Sequence, residues 1–207
     1  MNTIILAHGI ARWDEPFWAF RKLTGFDHGP RYFNGIRDYL RERGFDAHET
    51  HVPFAASVED RAHRLRDAIL EVVPDASRKL HIIGHSMGGL DARHMLVEHD
   101  DMARRVASLT TIATPHNGSP LADELFGPRG TKIVDALKPF LNLEGFHDLK
   151  VEACAEFNER AAAIESTNGV QYVAVTAHEP ERKNVFPILR MSWDFLTEHA
   201  GPNDGLV

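Results

Sequence analysis

Residues 80–90 read Leu-His-Ile-Ile-Gly-His-Ser-Met-Gly-Gly-Leu. A short apolar run rich in β-branched residues leads into Gly-x-Ser-x-Gly, and a helix-like stretch follows. Leu80–Ile83 has the length and composition of a buried strand. Residues 87–98 place Leu90, Met95 and Leu96 on a helical repeat. Ser86 therefore falls on a tight strand-to-helix turn. Gly84 and Gly88 lack Cβ atoms, which keeps the turn sharp and lets strand and helix approach closely. The Ser86 hydroxyl then projects beyond the sheet. The Met87 amide, opening the helix, faces the place where an oxyanion would form. The pentapeptide alone arises by chance in roughly 0.07 of chains this long, at ordinary glycine frequency with serine taken as similar. The flanking strand and helix make the pattern far more specific. The plainer alternative is a serine that only caps a helix.

The remaining elements are read from periodicity and stop signals. Thr3–Ala7 is a strand. Tyr32–Arg43 reads as a helix with Phe33, Ile36 and Leu40 on one face and Gly44 stopping it. Ala47–Val52 is a strand ended by Pro53. Ser57 opens a long helix with Asp60 three residues on, and Ala62, Leu65, Ile69 and Val72 form its apolar stripe up to Pro74. Val106–Ile112 and Val170–Thr176 are further strands, and 188–198 is a helix. Strands alternate with helices, so the fold class is α/β, with a mostly parallel sheet covered on both faces. With 207 residues and no visible linker, a single domain over 1–207 is expected. Residues 117–150 break the alternation: they hold no strand candidate but are apolar at Ile133, Val134, Leu137, Phe140, Leu141 and Leu143. They are either a packed core helix or a cap that offers apolar surface to an acyl chain.

Composition removes several classes of function. A net charge of −7 argues against nucleic acid as a partner. No apolar run approaches the ~18 residues that a membrane span needs. The opening residues enter a strand directly, without the basic segment and long apolar core of a signal peptide. A cytoplasmic chain is expected, with secretion left open if the N-terminus has been trimmed. Cys154 is the sole cysteine, which excludes an internal disulfide. Thirteen histidines invite a metal reading, but no H-E-x-x-H zincin motif is present and no cysteine pair supports structural zinc. His48, His51 and His63 read as solvated, and neither a metal nor a cofactor is expected.

Four segments, taken together, carry a resemblance. Ala7-His8-Gly9-Ile10, Gly84–Gly89, the run 113–120 (Ala-Thr-Pro-His-Asn-Gly-Ser-Pro) and the run 201–207 (Gly-Pro-Asn-Asp-Gly-Leu-Val) resemble bacterial triacylglycerol lipases and related esterases of the α/β-hydrolase fold. The likeness spans nearly the whole chain in order. It implies Ser86 as nucleophile and Asp204 as the acid that orients a catalytic histidine. It implies the amides of Ile10 and Met87 as the oxyanion hole. His8 and Gly9 would shape the turn presenting Ile10, His85 would pack, and His116 would build the pocket rim. Acyl transfer needs each of these parts, and the chain order in this fold is Ser, then acid, then His. Read without the resemblance, Asp204 in Asn-Asp-Gly is equally an Asx-turn residue.

The given sequence ends at Val207, just after Asp204, so the resemblance implies that the base and the last helix of the fold lie beyond it. His199 precedes Asp204, the wrong order for the base, and sits at a helix end where a cation is favoured. The expectation is a piece of a longer serine carboxylic-ester hydrolase acting on lipid or small ester substrates, with at most transient contact with a lipid surface. Two alternatives stand beside it. One is a phospholipid or glycolipid deacylase with the same machinery. The other is a non-catalytic protein of this fold that binds a lipid or a partner.

Overall fold

The computed structural model describes residues 2–9, 32–33, 35–53, 56–125 and 144–205. Five parallel strands form one sheet: β1 (Thr3–Ala7), β2 (Asp46–Glu49), β3 (Leu80–His85), β4 (Val106–Ile112) and β5 (Gln171–Val175), in the order β2-β1-β3-β4-β5. The helices are α1 (Ile36–Glu42), α2 (Val58–Val72), α3 (Met87–Glu98), α4 (Asp100–Arg105), α5 (Pro120–Leu125), α6 (Val151–Glu165) and α7 (Arg190–His199). Short 3₁₀ turns cover Glu144–Leu149 and Pro187–Leu189.

Successive side chains of a strand face opposite sides of the sheet, and β1 divides accordingly. Ile5 and Ala7 join Leu80, Ile82 and Leu109 under Ala62, Leu65 and Ile69 of α2 and Ala92, Met95 and Leu96 of α3. Ile4 and Leu6 face the other way, with Phe33, Ala47 and Leu40 of α1. Apolar side chains on both faces explain why β1 is buried at every position. The register pairs Ala7 with Gly84 and Gly84 with Thr111, so β1, β3 and β4 end at one level. Ligands of open α/β sheets bind beyond the strands' carboxyl ends, and Ser86 follows β3 at that edge.

Several elements differ from their sequence readings. The first helix is shorter: Gly35, at φ 78°, breaks the backbone before Ile36, and Phe33 is buried from a turn rather than from a helix. Ile36, expected on the packed face, is 47% exposed, because a two-turn helix reaches the sheet only through Leu40. β2 stops at Glu49; the Thr50 amide still donates to the Leu6 carbonyl at 3.1 Å, and further on the His8 ring takes the Val52 amide at 3.2 Å. On α2 the Ser57 hydroxyl caps as read, accepting from the Asp60 amide at 3.1 Å. Val72 stays exposed while Val73, where the chain leaves the helix, takes the buried place. The described residues of the segment 117–150 form α5 and one 3₁₀ turn, whose Leu121, Ala122, Phe146 and Leu149 pack with Met87 and Leu90. Its centre, with Phe140 and Leu141, lies outside the described residues. The helices α4 and α6 were not read from the sequence.

Candidate active site

Ser86 adopts φ 54°, ψ −132°, a left-handed backbone that non-glycine residues seldom take. The surrounding bonds hold it there. Its amide donates to the Ile112 carbonyl at 2.9 Å, and its carbonyl accepts from the Gly89 amide at 3.0 Å and the Thr114 hydroxyl at 2.8 Å. The glycines are needed for space. A Cβ on Gly84 would stand 2.7 Å from the Gly89 Cα, and one on Gly88 would collide with the Ala7 carbonyl. The turn therefore wedges α3 directly against the ends of β1 and β3. Met87 is fully buried at the first position of α3. Amides in the first turn of a helix lack intrahelical acceptors and carry the positive end of its dipole.

The turn after β1 lies against the serine. A Cβ on Gly9 would sit 2.9 Å from the Ser86 Cβ and 2.8 Å from the Tyr32 hydroxyl. His8 is buried, with Nε2 accepting from the Val52 amide and Nδ1 on the Gly9 carbonyl at 2.7 Å. An accepting Nε2 leaves the proton on Nδ1, so His8 is a neutral ring that shapes the turn. Ile10 lies outside the described residues. His85 is half-buried and shares a hydrogen bond with the Tyr32 hydroxyl at 2.7 Å. Burial lowers the His85 pKa, while the Asp204 carboxylate acts on it in the opposite direction. Asp204 is thus within electrostatic reach of the strand that carries Ser86. Its loop is clamped by its neighbours. The Asn203 side chain accepts from the Gly205 amide at 2.8 Å and donates to the Thr197 hydroxyl at 3.0 Å. Ser192 of α7 donates to the Gly205 carbonyl. The Asx turn expected of Asn-Asp-Gly is present, and it is made by Asn203. His199 is exposed on α7, bonded to the Phe195 carbonyl at 2.8 Å and stacked on that ring.

A family model described as a PGAP1-like alpha/beta domain matches residues 36–177. The chain belongs to this family. It is 37% identical over 188 residues to triacylglycerol lipase 2 of Saccharomyces cerevisiae, covering 85% of this chain and 55% of that protein. It is 32% identical over 127 residues to a triacylglycerol lipase of Vibrio cholerae, covering 60% of this chain and 36% of the relative. Among solved structures, a Bacillus licheniformis lipase in its mature form is similar at TM-score 0.77 and 19% identity, over 100% of this chain and 76% of that one. A metagenomic carboxyl esterase is similar at TM-score 0.75 and 23% identity, over 100% and 58%. The PGAP1-like domain has the α/β-hydrolase fold. It spans about half the length of the yeast relative and about a third of the Vibrio one.

Two polar networks of the PGAP1-like domain escaped the sequence reading. In the first, Arg61 of α2 and Asp91 of α3 are both fully buried and paired at 2.7 Å. The Arg61 guanidinium also donates to the carbonyls of His8 at 3.0 Å and Pro53 at 2.8 Å. One cation thus ties the Ser86 helix to the turn after β1. Burial pushes the Asp91 carboxyl up to about 6, with Arg61 pulling it down. Arg61 looks like surface charge in a helical sequence; only its place one turn before Leu65 on the buried stripe hints otherwise.

In the second network, Arg93 of α3 holds Glu165 of α6 through two hydrogen bonds at 2.7 and 2.9 Å. It also donates to Nδ1 of His116 at 3.2 Å, while the Nε2 of His116 lies 2.8 Å from the Thr111 hydroxyl. Both His116 nitrogens are therefore used in holding the loop after β4. Burial, with Arg93 beside it, lowers the His116 pKa from 6.5 to about 4. The unfolded chain then binds the extra proton between those values. This contribution to stability is fully present above about pH 6.5 and is lost as pH falls toward 4. Asp91, with its raised carboxyl, acts in the opposite sense. The urea midpoint is therefore expected to drop less between pH 7 and pH 5 in His116→Asn than in the parent protein. Equal drops would count against this role.

Proposed function

We propose that this chain carries the nucleophile, the acid and the oxyanion donors of a serine hydrolase that cleaves acyl esters of lipids. The observation that carries the reading is the left-handed Ser86 between β3 and α3, with the Gly9 turn against it. Ser86 Oγ attacks the ester carbonyl and gives its proton to an imidazole. The amides of Met87 and Ile10 receive the oxyanion. The carbon–oxygen bond to the alcohol breaks as the imidazole returns the proton to the leaving oxygen. Water then repeats the sequence on the acyl-enzyme, freeing the acid and Ser86. Asp204 orients the imidazole and stabilises its charged form.

The histidines described near the turn are committed elsewhere: His8 to Val52 and Gly9, His85 to Tyr32, and His116 to Arg93 and Thr111. The chain order of this fold puts the base after the acid. The base is accordingly a histidine C-terminal to Asp204. Relatives named triacylglycerol lipase favour a lipid ester as substrate. Among the described residues no helix is long and apolar enough to cross a membrane.

A fluorophosphonate probe tests the assignment in the full-length protein. It should label Ser86 alone, as read by peptide mass, and labelling should vanish in Ser86→Ala. Persistent labelling of that variant would reject Ser86 as the nucleophile.

A further inference from the structure

We propose that His63, Glu98 and His99 form a site for one divalent transition-metal ion of the zinc class, clipping α2 to the end of α3. One donor atom from each residue lies within 4.8 Å of the others. His63 Nδ1 and His99 Nε2 are already 3.0 Å apart; the Glu98 carboxylate lies 4.0 Å from the other His63 nitrogen, Nε2, and must swing toward the Nδ1 side to share an ion with both rings. Tetrahedral zinc, with bonds of about 2.0–2.1 Å, needs donors about 3.3–3.4 Å apart. The imidazoles meet that spacing within a few tenths of an ångström. The carboxylate reaches it by a rotation of its partly exposed side chain.

A second observation comes from the turn before. His94 Nδ1 is buried without a hydrogen-bond partner among the described residues, 3.9 Å from the other Glu98 oxygen. Its ring is held flat on Phe157, with centroids 3.7 Å apart. When one Glu98 oxygen binds the ion, the other is left to accept from His94. A hydrogen-bonded partner of this kind orients a carboxylate ligand and tightens a metal site. Arg66, one turn along α2, is paired with Asp101 at 2.9 Å, which offsets its charge near the ion.

Two imidazoles and one carboxylate favour zinc, cobalt or nickel over the all-oxygen preferences of calcium and magnesium. Water fills the fourth position. The site lies at the far end of α3 from Ser86, about 18 Å along the helix, so the ion acts on stability rather than on ester chemistry. The sequence conceals the site because His63 and His99 stand 36 residues apart and meet only when α2 packs on α3.

The test is titration of the metal-stripped full-length protein with Zn²⁺ by calorimetry and with Co²⁺ by visible absorption. One ion per chain is expected, with the absorption bands of tetrahedral cobalt. The affinity should fall at least about tenfold in His63→Ala and in His99→Ala, and stay unchanged in His178→Ala. Zinc at a hundredfold excess over its Kd should raise the unfolding temperature by about 5–10 °C in the parent alone. The three ligands are on the surface, so the variants should keep the parent's circular dichroism. Absence of saturable binding, or equal affinity in the His63→Ala/His99→Ala double variant, would overturn the site. Neither result bears on the role of Ser86.

Discussion

Replacing Ser86 by alanine is expected to lower kcat for a short-chain nitrophenyl ester by a factor on the order of 10⁶ in the full-length protein. That corresponds to about 8 kcal/mol of lost transition-state stabilisation. The hydroxyl forms the covalent bond, so its loss removes the pathway rather than weakening one contact. KM should change little, because the oxyanion amides and the acyl-binding surface remain. Residual catalysis of about 10³–10⁴ over water should persist from those groups. A second variant separates chemistry from folding. Ser86 is held at φ 54°, a backbone that glycine adopts without cost. Ser86→Gly should therefore be as inactive as Ser86→Ala yet more stable than the parent by about 1 kcal/mol. A loss of activity below about tenfold in either variant would place the nucleophile elsewhere.

Asp91→Ala should be the most damaging change outside the reacting groups. It strands the Arg61 guanidinium in a fully buried position, which costs about 3–5 kcal/mol when one partner of such a pair is removed. It also frees the cation that holds the His8 and Pro53 carbonyls, so the Gly9 turn loses its tie to α3. The double variant Arg61→Met/Asp91→Leu distinguishes stability from positioning. Replacing both charges by apolar side chains of similar size is often neutral for stability. The turn nevertheless stays untethered, so urea unfolding should return close to the parent value while kcat remains depressed. Recovery of both would make the pair a stability element alone. A cost below about 1 kcal/mol for Asp91→Ala would mean that water replaces the lost carboxylate.

The legible parts of this chain are those whose information is local. β1 and β4 match their sequence readings residue for residue, because short runs rich in β-branched residues have few other solutions. The turn at Ser86 was legible because Gly84 and Gly88 mark the places where backbone must approach backbone. α1 was overread, since Phe33 and Ile36 fit a helical repeat and only the left-handed Gly35 between them stops it. α6 went unread although it runs from Val151 to Glu165, and its alanine-rich sequence buries only Cys154, Phe157 and Ala161. A weak apolar stripe leaves little periodic signal.

The order of elements, the sharp serine turn and the candidate nucleophile follow from the sequence alone, because spacing and glycine placement act within a few residues. The approach of Gly9 and Tyr32 to Ser86, the reach of Asp204 toward His85, the Arg61–Asp91 tie and the meeting of His63 with His99 were decided only by the tertiary structure. Each joins residues from separate elements, and their distances depend on sheet register and helix packing. Beyond its place on the stripe before Leu65, Arg61 carries no mark of burial until Asp91 and the His8 and Pro53 carbonyls close around it. A charge becomes structural only when the fold supplies its partner and removes the water.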